Sequence, residues 1–559
     1  MGAAHGALAH AVDLGAYLFS DVALLIAALL LAAFLHGPRW RPLADHMATA
    51  WGWLAHTPAR ALVVAGLIAA IASLLVSLAR PPIPTTEDEF AYLLAADTFA
   101  HGRLANPPHP LWQHFESIMI LQQPTYAAKY PPGQGLALAL GQVLTGSPLV
   151  GVWLSFALAC SAVCWMLQGW MPRRWALLGA VLVATQPRIV ADFGASYWGG
   201  AVALAGGALL FGALPRLVRY RRSRHAVLLA VGVGILANSR PYEGLAASVP
   251  AMLAWLSCVD RRARLRLAAA VVAVFAPTGV AMLYYHWRVT GDPLMPPYAL
   301  HEAQYDVARS FFWLPPHPVP AYRHPIAFRK NHLGYEEYGK YVEQRSVRGA
   351  LVYAGRKLIY YWKYFISIPL TIPLLALRGM RRHRPTRFAV ATTAWVLGCL
   401  LIETWFHAWY AAPIVCVVFL LIVRGLRQLR LWRVGDVAIG RIAATAVIAS
   451  ALLQPPAVAI ERSFQPYEPA ARQRADIMAA LQRTSERHLV LVRYTTLTRE
   501  HFTWVYNDAD IDHAKVIWAH EMDRASTQRL LNYFTDRTVW LLEASTNPAR
   551  LSRYPPPSS

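Results

Sequence analysis

Three consecutive acids, Glu87, Asp88 and Glu89, follow a proline-broken stretch (PPIPTTEDEF, residues 81–90) at the end of an apolar run. Carboxylates in such a place can act as general bases or hold a divalent cation. Lys129 and Tyr130 open a rigid, glycine-containing turn, KYPPGQG (129–135). Arg188 and Asp192 lie at the end of another apolar run, and Arg240, Tyr242 and Glu243 interrupt one in NSRPYEG (238–244). His286, Arg288 and Asp292 follow a further run, and Glu403 and His407 stand one helical turn apart in ETWFHAWYAAP (403–413). Arginine holds phosphate through paired, charge-assisted hydrogen bonds. Acids and cations gathered at the ends of apolar segments therefore fit phosphate-linked chemistry at a membrane surface. Asp88 and Glu89 are the candidate catalytic residues. Lys129, Tyr130, Arg188, Arg240, Tyr242, Glu243, His286, Asp292 and His407 are the candidate substrate-binding residues. No histidine pair has the HExxH spacing of a zinc site. A divalent ion on Asp88 and Glu89 stays open, and no other cofactor is indicated.

The elements that must position these groups are membrane spans. Of 559 residues, 56% are hydrophobic and only 15% charged, where soluble proteins carry about 25% charged. Mean hydropathy is +0.32. Since about 20 apolar residues span a bilayer core, the sequence predicts a polytopic α-helical membrane protein. Its spans are read near 14–36, 61–80, 146–171, 175–190, 197–214, 226–238, 244–258, 266–287, 354–377, 388–403, 409–424 and 434–455. The run 133–144 is too short to cross and is read as interfacial or re-entrant. The start lacks the basic region of a cleavable signal, and the apolar run after it is long enough to span. The net charge of +22 sits in short arginine loops that all fall on one side of this arrangement. That is the placement that fixes membrane orientation, not a nucleic-acid surface. The long loops 81–132 and 288–350 and the tail then lie on the opposite, outer side. The five cysteines fall in or beside apolar segments and make no disulfide framework. The expected organisation is a membrane domain, 1–455, and a C-terminal α/β domain, 456–559. In the latter, 488–494, 515–519 and 538–544 read as buried strands, and a helix at 526–534 favours parallel pairing. At the first outer loop, Thr85 or Thr86 should cap a helix whose apolar stripe is Phe90, Leu93, Leu94 and Phe99, lying along the interface.

EDEF (87–90) just after a membrane exit, with KYPPGQG before the next apolar run, resembles the GT-C superfamily of membrane glycosyltransferases. Close comparisons are the protein O-mannosyltransferase-like and bacterial aminoarabinose lipid A transferase-like branches, and the resemblance covers roughly residues 61–425. The resemblance implies a GT-C-like fold of about twelve spans in a bacterial inner membrane. It implies a polyprenyl-phosphate sugar as donor and a lipid, glycan or protein as acceptor at the periplasmic face. Asp88 would then be the base in an inverting transfer, and Arg240, Lys129 or Arg188 would steady the departing lipid phosphate. Two alternatives remain at this stage. One is a transporter, although the charges gather at one end of the spans instead of at mid-membrane. The other is a lipid-linked polysaccharide polymerase or ligase.

Overall fold

A computed structural model describes residues 21–380, 382–496 and 502–555. The first part of the expected 14–36 span and the last four residues lie outside the described residues. The chain opens with α1 (Asp21–Leu35), then α2 (Arg41–Leu54) and α3 (Pro58–Ala79). Thr57 caps α3 by accepting the Arg60 N–H at 3.2 Å. The PPIP segment that follows cannot supply the N–H groups a helix needs, so α3 stops at Ala79. Next come α4 (Glu87–Ala100), a two-stranded ribbon of β1 (Ile120–Leu121) and β2 (Ala127–Ala128), and α5 (Pro132–Thr145). The central bundle comprises α6 (Pro148–Gln168), α7 (Arg173–Thr185), α8 (Pro187–Gly194), α9 (Gly200–Tyr220), α10 (Ser223–Ala237), α11 (Pro241–Cys258) and α12 (Arg261–Thr290). Asp260 caps α12, and Gly291, with φ of 82°, ends it. The second long loop carries α13 (Pro297–Tyr305), α14 (Pro325–His332) and α15 (Lys340–Gln344). The bundle resumes with α16 (Val347–Phe365), α17 (Ser367–Ala376), α18 (Arg384–Leu401), α19 (Ala412–Leu429) and α20 (Ile439–Phe464).

Each stretch read as a span holds helix over most of its described residues. Among the described residues, five helices are long and apolar enough to cross a membrane, or up to seven if each of two bent pairs counts as one span. The chain is thus a multi-pass membrane protein, but length and composition do not reach twelve crossings. Helices such as α10, with 15 residues, cover only about 22 Å at 1.5 Å per residue, against a core of about 30 Å. The run read as interfacial or re-entrant is α5, 14 residues long. Helix α2 falls in what reads as a charged loop, because Arg41, Asp45 and His46 mask its helical pattern.

The tail continues with α21 (Pro469–Arg483), β3 (His488–Arg493), β4 (Val516–His520), α22 (Arg524–Tyr533), β5 (Thr538–Glu543) and β6 (Arg550–Arg553). The strand order is β4-β3-β5-β6. β3 pairs in parallel with β4 and β5, with Leu489 opposite Ile517 and Val539, and β6 is antiparallel. The crossover helix α22 lets β4 and β5 run the same way.

The sheet shares its core with α4. Phe90, Leu94 and Phe115 pack in one cluster with Leu489, Ile517 and Trp518. The Phe90 and Tyr506 rings stack at 4.2 Å, and the Arg474 guanidinium sits 4.5 Å from the Phe90 ring while donating to the carbonyls of Trp504 and Tyr506. With the tail on one side and α5 on the other, α4 lacks the open polar face expected of an interfacial helix. Glu87 and Glu89 are themselves buried.

Candidate active site

Asp88 is the half-buried acid of the triplet. It accepts a hydrogen bond from the Tyr130 hydroxyl, whose ring stacks on Tyr92 at 4.5 Å. Tyr92 is one turn beyond Asp88 on α4, so the i, i+4 spacing puts the two on one face. The expected cap at the start of α4 is inverted. Neither threonine side chain caps the helix; instead the Glu89 Oε2 accepts from the Thr85 N–H (2.9 Å) and hydroxyl (3.1 Å). Its Oε1 accepts the N–H of Tyr197 at 3.2 Å. Burial pushes the Glu89 carboxyl up to about 7 despite these three donors, and Asp88 beside it adds to the rise. Glu89 therefore ties the membrane exit to the segment between α8 and α9, while Asp88 faces the tyrosines.

Two glycines of KYPPGQG hold this arrangement close. The Gly133 N–H donates to the Asn238 carbonyl at 2.7 Å. A Cβ on Gly133 would fall 2.7 Å from that same oxygen, and one on Gly135 would fall 2.7 Å from the Ala95 Cβ on α4. KYPPGQG and NSRPYEG, more than 100 positions apart in sequence, meet here. The meeting brings Arg240 to the site. Its guanidinium lies 4.4 Å from the Tyr410 ring centre and 3.6 Å from Glu243. The charges of Arg240, Asp88, Glu403 and Glu243 all act on the Tyr410 hydroxyl, and those of Arg240, Asp88 and Glu243 act on Tyr92.

Lys129 faces the second long loop. Its charge acts on His301, Asp306 and Glu337. Asp306 meets His332 at 2.9 Å and His301 at 3.6 Å. Burial works to raise the Asp306 carboxyl, but His301, His332 and Lys129 outweigh it and hold it well below the usual carboxylate range. Burial and the Lys129 charge push His301 down to about 4. Loss of water, with Asp306 and Asp88 nearby, pushes Glu337 up to about 8. Sequence reasoning missed Tyr92, Tyr410, Asp306 and Glu337. The helical spacing from Asp88 to Tyr92 was the available signal for one of them. The alternation of tyrosine and acid in YEEYGKY (335–341) pointed to Glu337.

The remaining candidates lie elsewhere. Asp192 accepts from the Tyr364 hydroxyl at 2.7 Å and pairs with Arg462 at 3.9 Å, with the charge of Arg188 acting on it. His407 stacks on Trp409 at 4.4 Å, and Trp409 reaches Trp198 at 4.7 Å. The Tyr242 hydroxyl is spent on the Cys399 carbonyl at 2.9 Å, which pins α11 to α18. His286 and Asp292 close the turn after α12, with His286 Nδ1 on the Pro293 carbonyl and Asp292 accepting the Leu294 N–H; neither is joined to the Asp88 group by these bonds. Among the described residues no group of three or more His, Cys, Asp or Glu is arranged to hold a metal ion.

No protein-family model and no curated protein matches the chain. Several solved structures are similar to it, three of which follow. ArnT from Cupriavidus metallidurans in the apo state is 13% identical, with a TM-score of 0.49, covering 85% of this chain and 92% of that one. ArnT from Cupriavidus metallidurans bound to undecaprenyl phosphate is also 13% identical over the same shares, with a TM-score of 0.47. The oligosaccharyltransferase of Archaeoglobus fulgidus in the apo form is 13% identical, with a TM-score of 0.42, covering 78% of this chain and 62% of that one. The chain thus spans under two thirds of the length of that last protein. At TM-scores below 0.5 the likeness transfers neither an activity nor a residue's role.

Proposed function

We propose that this protein is a GT-C-type membrane glycosyltransferase. It moves a sugar from a polyprenyl-phosphate donor to an acceptor at the periplasmic face of a bacterial inner membrane. The observation that carries the reading is Asp88: a half-buried carboxylate at the first turn after a membrane exit, aligned by the Tyr130 hydroxyl and within the field of Arg240 and its tyrosines. In this reaction Asp88 takes the proton of the acceptor nucleophile. The nucleophile's electron pair forms the bond to the anomeric carbon, which inverts, and the bond to the donor phosphate oxygen breaks. The lipid phosphate leaves as an anion and needs no proton, so one base suffices. A preorganised cation beside the developing charge lowers the barrier most. Arg240, Lys129 and Arg188 are the candidates: Arg240 acts with Asp88 on Tyr92 and Tyr410, and Lys129 acts with it on Glu337. Glu89 acts as a brace that holds the turn carrying Asp88. Periplasmic orientation is supported by the arginine-rich loops, which the positive-inside rule assigns to the cytoplasm.

Asp88→Asn tests the reading. General-base catalysis contributes about 10²–10⁴-fold, so turnover of a polyprenyl-phosphate sugar should fall by that factor with expression and melting unchanged. Near-normal turnover removes Asp88 from the mechanism. The two bent helix pairs, 58° at Thr185–Pro187 and 97° at Phe365–Ser367, favour a second reading, because transporters build their sites on broken helices. Solute uptake by reconstituted vesicles without sugar transfer would select it. Consumption of donor only with a lipid-linked glycan acceptor would select a polymerase or ligase.

A further inference from the structure

A cleft of about 520 Å³ opens between the first long loop and the end of α12, away from Asp88. Arg103 and Arg288 line it from its two sides, with Asn106, Thr125 and Tyr284 between them, and no acidic residue lines it. The Arg103 Nε is buried and has no hydrogen-bond partner among the described residues. Arg288 is exposed and donates to the Tyr284 hydroxyl at 3.2 Å. The Thr125 hydroxyl donates to the Val289 carbonyl at 2.7 Å and so fastens the loop to α12. The Arg103 charge also acts on Asp510 outside the lining, but within the cleft two cations stand with no carboxylate, and that local positive charge attracts an anion.

The position of the cleft says what the anion is attached to. Helix α12 is 30 residues long, and only 11% of its apolar window is buried inside the protein, so it faces lipid along most of its length. Arg266 and Arg288 are 22 residues apart on it, about 33 Å at 1.5 Å per residue, close to the thickness of a hydrocarbon core. Arg288 thus sits at headgroup height. Tyr284 and Trp287, 47% and 53% exposed, stand beside it as an interfacial aromatic belt.

We propose that Arg103 and Arg288 form a binding site for the phosphate of an anionic membrane lipid, separate from the Asp88 site. The planar guanidinium of each meets phosphate oxygens, while Tyr284 and Trp287 lie against the glycerol and upper chains.

The test extracts the whole chain from vesicles of equal parts phosphatidylglycerol and phosphatidylcholine and counts retained lipid by native mass spectrometry. The wild type should retain phosphatidylglycerol selectively. Arg103→Ala with Arg288→Ala should retain about tenfold less of it, the loss that follows when at least ~1.4 kcal/mol of charge-assisted contact is removed. Arg288→Glu changes an exposed side chain and keeps the fold, so it guards against unfolding of the double variant and should show a loss of the same sign. Asp88→Asn should retain phosphatidylglycerol as the wild type does, which separates this site from the catalytic one. Equal retention by the wild type and Arg288→Glu overturns the proposal. So does arginine-dependent binding of inorganic phosphate with no selective lipid retention, which would make the ligand a free phosphate.

Discussion

Replacing Glu89 by glutamine should change how the protein's stability depends on pH. The Glu89 carboxyl is 2% exposed, and its ionisation midpoint moves from 4.5 to about 7 on folding. A carboxyl raised in this way binds its proton more tightly in the folded state, so its contribution is fully present below pH 4.5. It is lost as the pH rises through about 7 and is flat above that. At 1.36 kcal/mol per tenfold, full ionisation of Glu89 costs about 3 kcal/mol. Other groups titrate over the same range, so the informative quantity is the difference between the wild type and Glu89→Gln. Thermal melting in detergent from pH 4.5 to 8.5 measures it. The wild type should lose about 3 kcal/mol relative to the variant across the interval, most of it between pH 5 and 7. The amide also loses one of its acceptor oxygens toward Thr85 or Tyr197, which lowers the variant's stability by a constant amount. A difference that does not change with pH would refute the buried, proton-holding state of Glu89. A difference that grows in the wild type's favour as pH rises would refute the sign.

Two further outcomes follow from the same geometry. Tyr130→Phe removes the hydroxyl that aligns Asp88 while keeping the stack on Tyr92, so turnover should fall about tenfold with donor KM little changed; an unchanged kcat would show that the hydrogen bond does not position the base. Gly133→Ala puts a methyl 2.7 Å from the Asn238 carbonyl and should destabilise the protein by about 1–3 kcal/mol, within the range for overpacking; a melting temperature equal to the wild type's would mean the two motifs can separate.

The sequence makes the apolar helices and the acid triplet legible because both are local patterns. Hydrophobic runs of helical length announce themselves, and a proline-broken exit followed by EDEF stands out against 15% charge. The burial of Glu87 and Glu89 was not legible. Acids in a first turn ordinarily face solvent and the helix dipole, and the groups that enclose these are distant in sequence: Tyr197 for Glu89, and Asn331, Tyr494 and Tyr506 for Glu87. The same limit hid Tyr410, brought beside Asp88's helix through Arg240, and the role of Gly133, which has meaning only once Asn238 is against it. His286 and Asp292 share the polarity and end-of-span position of the other candidates, but the hydrogen bonds that set them apart, made within one turn, cannot be read from position alone. Short helices such as α10, with 15 residues, are why the helix order was legible and the span count was not: an apolar run tells where a helix forms but not whether it reaches the far side.

The joint between α4 and the tail has a consequence for the order in which the protein comes into being. Asp97 on α4 accepts the N–H of Ala509, 412 positions away, and Phe90 waits for Tyr506 and Arg474 to complete its surroundings. The helix that carries Asp88 leaves the ribosome early but acquires its final neighbours only when the last fifth of the chain has been made. A nascent or truncated chain would hold Asp88 and its helix in an unfinished shell.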